Sequence, residues 1–179
     1  MKKILLAVVW AVFAFLFCSC VRTGEKDSID FISSMIKCGY DCSISETLSG
    51  ETLKESCYVN GCKLSLYSDG SGKLARISIT YVPESRGEFL MLAQAAVRSF
   101  CLYGEEDINE IFTALGTGDY PPDDSSGVRR CNTEWYSFYF SCDETSGALE
   151  VVNLRLEPDG VPDVTLNTTV PFVSVNTEK

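Results

Sequence analysis

Residues 40–81 alternate between apolar and polar side chains, and this period of two constrains the fold more than any other feature of the chain. The alternation is interrupted at Ser49-Gly50, at Asn60-Gly61 and in the segment 69–72. Asn-Gly is the strongest short signal for a two-residue hairpin turn. We therefore expect four antiparallel strands joined in a meander, each with one face in the core.

Three other segments have the spacing of amphipathic helices. The first is expected to begin at a cap residue, Ser28, and to end at Gly39. The segment 89–101 repeats apolar residues over three turns and is the clearest helix, and 105–115 predicts a shorter one. In the first helix we expect one apolar face formed by Ile29, Ile32, Met35 and Ile36, with Phe31 beside it.

A second pair of strands is expected at 134–142 and 148–157, on either side of a Gly-containing turn. The Gly-, Pro-, Asp- and Ser-rich segment 117–131 predicts a long loop, and the tail after Pro158 either adds an edge strand or stays loose. The fold class that follows is α+β: an antiparallel sheet made of a meander plus a second hairpin, with the helices packed on one face.

The two expected hairpins have similar sequences, which raises the alternative of an internal duplication. Segment 64–84 aligns with 138–159 if the second turn is one residue longer, and this alignment pairs Ile77 with Val152. The other explanation is that any two amphipathic hairpins look alike. The order of elements resembles small secreted inhibitor and binding modules built from helix-plus-meander repeats, such as the β-lactamase inhibitory protein. The resemblance covers architecture only and transfers no residue.

The N-terminus has the three-part pattern of a secretory leader. Lys2 and Lys3 precede an apolar run from Ile4 to Phe17, and small Ser19 follows. A membrane-spanning helix needs about 20 apolar residues, so this run is short for an anchor. We expect residues 1–19 to be a signal peptide, with an uncleaved N-terminal anchor as the alternative.

The end of this leader resembles the type II leader of bacterial lipoproteins, in which a small residue precedes a lipid-modified cysteine. Here Ser19 is the small residue and Cys20 the modified one, whereas Phe17 and Cys18 depart from the family pattern. The resemblance implies that Cys20 becomes the first residue and carries a lipid. An ordinary secretory leader cut nearby is the alternative.

These boundaries predict the organisation and the location of the chain. Residues 20–28 form a lipid-anchored tether, and residues 29–179 form a single α+β domain. The expected partner is a membrane, reached through the N-terminal lipid, and the expected location is the extracytoplasmic face of the cell membrane or envelope. If the lipid is absent, the protein is expected to be secreted.

Composition excludes several classes of function. The formal charge of −10 disfavours binding to nucleic acid, whose phosphates would repel the protein. The chain contains no histidine, which excludes Ser-His-Asp and Cys-His catalysis and imidazole metal sites. Neither a Walker A motif nor a dinucleotide-binding glycine motif is present. We expect no cofactor and no metal.

Seven cysteines remain once Cys18 and Cys20 are set aside, an odd number that cannot be bridged completely. Cys42, Cys62 and Cys101 fall at core-facing positions, where a free thiol acts as a small hydrophobe. Across an Asn-Gly hairpin Cys57 would lie diagonal to Cys62, at about 7–8 Å, which exceeds the usual disulfide span of roughly 4.4–6.8 Å between Cα atoms. The spacing of Cys38, Cys42, Cys57 and Cys62 leaves zinc as a minor alternative.

The candidate binding surface is aromatic. Alternation in 135–140 directs Trp135 and Tyr139 away from the core, beside the long loop that carries Tyr120. Exposed Trp and Tyr are typical of binding hot spots, although a helix or the C-terminal tail would cover them equally well. We expect a binding or interaction module for a protein or small-molecule ligand, and not an enzyme. The alternatives are an envelope hydrolase or thiol-dependent enzyme using carboxylates or an activated Cys, and a structural envelope component.

Overall fold

The computed structural model of the chain describes residues 25–50, 52–81, 85–117, 128–142, 147–157 and 173–174. Within these ranges the chain forms three helices and one eight-stranded sheet, which is the expected mixed α+β class. The expected signal peptide, Cys20 and Tyr120 lie outside the described residues.

Helix α1 spans Ser28–Lys37, α2 spans Arg86–Cys101 and α3 spans Glu105–Ala114. All three lie where the sequence predicts them. The cap of α1 is Asp27 and not Ser28, because the Asp27 carboxylate accepts a 2.8 Å hydrogen bond from the Asp30 N–H. Gly39 follows with a φ of 90°, as expected for the residue after a helix.

The inward face of α1 differs from the expected one. Phe31 and Met35 are the residues of α1 that are buried in the core. Ile29 and Ile36 are 72% and 57% exposed, and Ile32 is only partly buried. The apolar stripe is therefore wider than the part of the helix that is buried in the core, and its outer edge faces outward.

The strands in chain order are β1 Glu46–Leu48, β2 Leu53–Val59, β3 Cys62–Ser68, β4 Leu74–Tyr81, β5 Val128–Asn132, β6 Tyr136–Cys142, β7 Gly147–Asn153 and β8 Val173–Ser174. Their order in the sheet is β1-β2-β3-β4-β7-β6-β5-β8. Every neighbouring pair is antiparallel except β5 and β8, which are parallel. Strand β5 occupies the end of the expected 117–131 loop. Strand β8 is an edge strand in the tail, one of the two alternatives expected for that segment.

The first hairpin has the predicted register. Asn60 and Gly61 both have positive φ, which is the requirement of a type I′ turn. Val59 then pairs with Cys62, and Cys57 pairs with Leu64. Cys57 and Cys62 are therefore diagonal neighbours, as the sequence indicates.

One core cluster joins the helices to alternate residues of the strands. Helix side chains such as Phe31, Phe89 and Phe112 belong to the same buried cluster as Leu64 and Phe138 of the sheet. A second, smaller cluster on the opposite side of the strands consists of Val128, Tyr139 and Val152. We call the first the helix-side cluster, because it contains helix residues, and we call the side of the sheet with the smaller cluster the second face.

The expected alignment of the two hairpins is wrong in its second half. It pairs Ile77 with Val152, but Ile77 belongs to the helix-side cluster and Val152 to the second-face cluster. The register instead makes Ile77 equivalent to Leu149, because Ile77 pairs with Leu66 and Leu149 pairs with Phe140. The physical reason is the turn, since β6 and β7 are joined by a shorter connection than β3 and β4.

Candidate functional site

Trp135 and Arg155 form a stacked pair at one end of the sheet. Trp135 lies just before β6, and Arg155 lies in the turn that follows β7. The guanidinium carbon of Arg155 is 3.4 Å from the centre of a Trp135 ring. The Leu154 N–H donates a 2.8 Å hydrogen bond to the Trp135 carbonyl, which holds the two segments together. Trp135 nevertheless remains 37% exposed.

This pair has the chemistry of a preorganised contact. A cation over an indole face is the most favourable cation–π geometry, and Trp and Arg are enriched among binding hot spots. Stacking uses the face of the guanidinium, so its N–H groups still point outward in its plane. The sequence pattern found Trp135 but missed Arg155. The expected hairpin brings the end of β7 beside the start of β6, but it does not show that the guanidinium lies over the indole.

Tyr139 does not have the exposure expected of it. It is 5% exposed and packs with Val128 and Val152 on the second face of the sheet. The Arg130 guanidinium lies over its ring, 5.3 Å from the centre. The alternation predicted the correct face, but that face is covered at this position. Of the three expected binding residues, Trp135 alone is therefore seen to be accessible, while Tyr120 lies outside the described residues.

A buried ion pair occupies the middle of the second face. The Arg76 guanidinium on β4 donates a 3.0 Å hydrogen bond to the Glu150 carboxylate on β7, and Glu150 is 1% exposed. Glu157 is 3.7 Å from the Nε of Arg76. Burial lowers the pKa of Arg76, but the hydrogen bond and charge of Glu150 more than offset this and raise it above its ordinary value.

An aromatic ring lies against the guanidinium of the same arginine. Arg76 lies 4.4 Å from the centre of the Tyr67 ring, and the Lys54 ammonium lies 5.0 Å from that centre. Neighbouring serines complete a polar strip, in which the Ser56 and Ser65 hydroxyls are hydrogen-bonded at 3.2 Å. Sequence reasoning missed this network. The sequence shows only one charged residue in each of the two strands, Arg76 in β4 and Glu150 in β7, and does not show that the two meet.

An open groove of about 450 Å³ lies beside α1, near Glu25 and Lys26 at the start of the described chain. Lys26 crosses one side of it, donating hydrogen bonds of 3.1 Å to the Ser34 hydroxyl and 2.7 Å to the Ser99 carbonyl. The groove mixes both signs of charge with one leucine, so its charge favours no single class of ligand. The residues that line it are Glu25, Lys26, Asp30, Ser33, Ser34, Lys37 and Leu102.

The thiols are mostly internal. Cys42, Cys62 and Cys101 are buried as expected, Cys57 and Cys131 are buried too, and the exposed thiol among those described is Cys38. The pKa of Cys57 is lowered, chiefly by a side-chain hydrogen bond with Cys42, but Cys57 is fully enclosed. A nucleophile must reach its substrate, so this thiol is not placed to attack an external molecule.

In the described part of the chain, no group of three or more Cys, Asp or Glu side chains is arranged to hold a metal ion. The helices between residues 25 and 157 are each too short or too polar to cross a membrane.

Comparison of the chain with known protein families, with curated proteins and with solved structures finds no match. The resemblance to secreted inhibitor modules therefore depends on element order alone.

Proposed function

We propose that the protein is exported, anchored to the cell envelope by a lipid on Cys20, and acts as a binding module without catalysis. Its expected location is the extracytoplasmic face of the membrane, and its partner is a protein or small molecule. Trp135 and Arg155 form the candidate contact. The ligand has no nucleic-acid character, because the chain carries a formal charge of −10.

The observation that carries the binding role is the exposure of Trp135 under Arg155. An indole fixed by a guanidinium at 3.4 Å and by a backbone hydrogen bond loses little freedom when it binds a partner. The same turn carries Glu157, which reaches Arg76. A ligand that moves Arg155 away from the indole would therefore also shift Glu157 relative to Arg76.

The exposed edge of α1 supports attachment at the N-terminal end. Four residues lie between Cys20 and Glu25, where the described chain begins, and the five steps from Cys20 to Glu25 span at most roughly 18 Å. Helix α1 follows at once and presents Ile29 and Ile36 outward. Two large apolar side chains this close to a lipid anchor suit a helix that rests against the membrane surface.

Mass spectrometry of the membrane-bound protein tests the anchor. We expect the mature N-terminus to be Cys20 carrying a diacylglycerol thioether, and Cys20→Ser to leave the protein unprocessed. Cys18→Ser is the matched control and is expected to be processed normally. A mature N-terminus at another residue, or an unmodified Cys20, contradicts the proposal.

A photo-crosslinking amino acid at position 135 tests the binding surface in intact cells. Tyr58 is the matched control, since it is also exposed and also has a cation, Lys63, 5.6 Å from its ring centre. We expect crosslinked species that are specific to position 135 and are lost in Arg155→Gln. Identical crosslinks from both positions would contradict a binding role for Trp135.

The enzyme alternative has one favourable feature, the two carboxylates of Glu150 and Glu157 that converge on Arg76. They meet a guanidinium instead of an open cleft, which suits an ion-pair network better than acid–base chemistry. Loss of any detected hydrolytic activity in Glu157→Gln with unchanged stability would favour this alternative.

We also propose that the three helices pack on one face of the sheet and that the domain arose by duplication. The shared helix-side cluster supports the first point. The second is supported by strand order. A two-fold rotation through the central pair Ser78 and Glu150 would place β2-β3-β4 on β5-β6-β7. An experimental structure in which Ile77 does not superpose on Leu149 when the halves are overlaid would contradict duplication.

A further inference from the structure

Arg155 is exposed and lies over an indole, yet the fold does not use its side-chain donors in the part of the chain that the structure describes. Its guanidinium carbon is 3.4 Å from the centre of a Trp135 ring, which is contact distance and requires the guanidinium to lie nearly flat on the ring. Three other arginines, Arg76, Arg129 and Arg130, donate to groups within the fold. Among the described residues, the Arg155 side chain has neither a hydrogen bond nor an ion pair.

The backbone that carries Arg155 is fixed by hydrogen bonds on both sides of it. The side-chain oxygen of Asn153, which is 1% exposed, accepts from the Arg155 N–H at 3.1 Å. The Asn153 carbonyl accepts from the Glu157 N–H at 2.9 Å, and the Leu154 N–H donates to the Trp135 carbonyl at 2.8 Å. The turn therefore fixes the position of Arg155, and a ligand need not order it.

Trp135 is fixed in a comparable way by the turn in front of β6. The Thr133 hydroxyl accepts from the Tyr136 N–H at 3.1 Å, and the Thr133 N–H donates to the Tyr136 carbonyl at 2.9 Å. The Tyr103 hydroxyl, between α2 and α3, donates to the same Thr133 oxygen at 2.8 Å. Two fixed turns thus place the indole and the guanidinium against each other, and both residues remain exposed.

The free edge of a guanidinium beside an indole favours a carboxylate as the ligand group. With its face on the ring, Arg155 directs its N–H groups outward in its own plane, where they can donate two parallel hydrogen bonds to the two oxygens of a carboxylate. A phosphate carries more negative charge. It would be repelled more strongly by a chain with a formal charge of −10 and by Glu134, which is exposed next to Trp135.

We propose that Trp135 and Arg155 bind the carboxylate of an Asp or Glu side chain in an accessible segment of a partner protein. The inference rests on the proposed binding role of this surface and names its ligand chemistry. The carboxylate accepts hydrogen bonds from the guanidinium, and the residues beside it in the partner pack on the exposed part of the indole. A peptide is favoured over a free carboxylate, because a free carboxylate would leave the exposed indole without a contact.

The fluorescence of Trp135 tests this binding directly in the full chain, extracted in detergent. Trp10→Phe removes the chain's other tryptophan, so that all indole emission comes from Trp135. The probes are two peptides, acetyl-Phe-Glu-Phe-amide and acetyl-Phe-Gln-Phe-amide, which differ only in the carboxylate. Acetate and inorganic phosphate are titrated separately as free anions.

We expect the Glu peptide to change the Trp135 emission with a dissociation constant at least tenfold lower than that of the Gln peptide, because only the carboxylate accepts charge-assisted hydrogen bonds. Acetate and phosphate should each bind at least tenfold more weakly than the Glu peptide. Added salt should weaken binding of the Glu peptide, since the contact is charged and exposed. Equal titrations by the two peptides, or no response to either, would overturn the proposal. A response to acetate or phosphate as strong as that to the Glu peptide would overturn it as well.

Variants at two arginines separate the position of the charge from the charge itself. Arg155→Gln should raise the dissociation constant of the Glu peptide at least tenfold. Arg98→Gln, which removes another exposed arginine from α2, should leave it unchanged. Arg155→Lys should recover only part of the affinity, because an ammonium lacks the planar fork of a guanidinium. Equal effects of Arg155→Gln and Arg98→Gln would contradict a specific contact.

Failure of this inference is distinguishable from failure of the proposed function. If the two peptides titrate alike while crosslinks from position 135 that depend on Arg155 persist in cells, the surface binds a partner and only the carboxylate is wrong. If those crosslinks are absent as well, the binding role of the surface is wrong too. The decisive comparison of peptides uses the native Arg155, so a variant that fails to fold does not affect it.

Discussion

Glu150 on β7 accepts a 3.0 Å hydrogen bond from Arg76 on the neighbouring strand β4, on the face of the sheet opposite the main core cluster. Glu150 is almost completely enclosed, and the Tyr67 ring covers the guanidinium. Breaking one partner of a buried pair is costly, because it leaves the other charge enclosed without compensation.

We therefore expect Glu150→Gln to lower the free energy of unfolding by about 3 kcal/mol, measured by urea denaturation. Glu157→Gln is the matched control, since Glu157 is more exposed and lies farther from Arg76, and it should cost less than about 1 kcal/mol. Equal losses in the two variants would mean that the Arg76–Glu150 pair contributes no more to stability than the Arg76–Glu157 pair.

Gly147 sits opposite Tyr81 at the junction of β4 and β7. A Cβ at Gly147 would overlap the Tyr81 ring, which packs against Phe89 at 4.5 Å between ring centres. We expect Gly147→Ala to cost about 1–3 kcal/mol of stability in thermal or urea unfolding, as overpacked cores do.

Gly70→Ala is the control for that substitution. A Cβ at Gly70 meets no atom within 4 Å, so its effect should stay within about 0.5 kcal/mol. A Gly147→Ala variant with unchanged stability would show that the Tyr81 ring can shift away from the added Cβ without a cost in stability.

The turn between β3 and β4 should be sensitive to acid. Asp69 Oδ1 accepts hydrogen bonds from the Ser71 N–H, the Ser71 hydroxyl and the Lys73 N–H at 2.7–2.9 Å. Partial burial raises the pKa of Asp69, but these bonds outweigh it and hold the pKa below its ordinary value. The stabilisation is therefore present above the unfolded pKa of about 3.9 and is lost as the pH falls through the folded pKa.

The measurement compares Asp69→Ala with the unmutated protein in urea at several pH values. The stability difference should be largest at neutral pH and should narrow below about pH 4. Ser71→Ala, which removes one donor, should show a smaller difference with the same pH dependence. A difference that does not change with pH would contradict the role of the ionised carboxylate.

If α1 rests on the membrane, a tryptophan at position 36 should be quenched by brominated lipids in vesicles that carry the lipidated protein. Trp135→Phe provides the background, since the chain's other tryptophan, Trp10, lies in the expected leader. Met91→Trp is the control on α2, because Met91 is also exposed. Equal quenching at positions 36 and 91 would argue against an orientation set by α1.

Much of the local structure is predictable from the sequence because it depends on neighbours along the chain. Asn60-Gly61 favours one turn, and that turn sets the pairing of Val59 with Cys62 and of Cys57 with Leu64. Helix positions likewise follow from the spacing of apolar residues. The face of Tyr139 could be predicted in the same way, but whether that face is open could not.

The candidate site was only partly predictable from the sequence. Trp135 was identified by its type and position, and the expected hairpin brings the two strand ends together, but it does not specify that the Arg155 guanidinium lies over the indole.

By itself the sequence determined the α+β class, the first hairpin and the three helices, since periodicity and turn chemistry act over a few residues. The expected leader is the basis for proposing a lipid on Cys20. Tertiary structure decided that β4 pairs with β7, that Arg76 meets Glu150, and that α1 turns Phe31 inward while Ile29 faces outward. These outcomes depend on which surfaces pack together, and packing is settled by the shape of the whole domain.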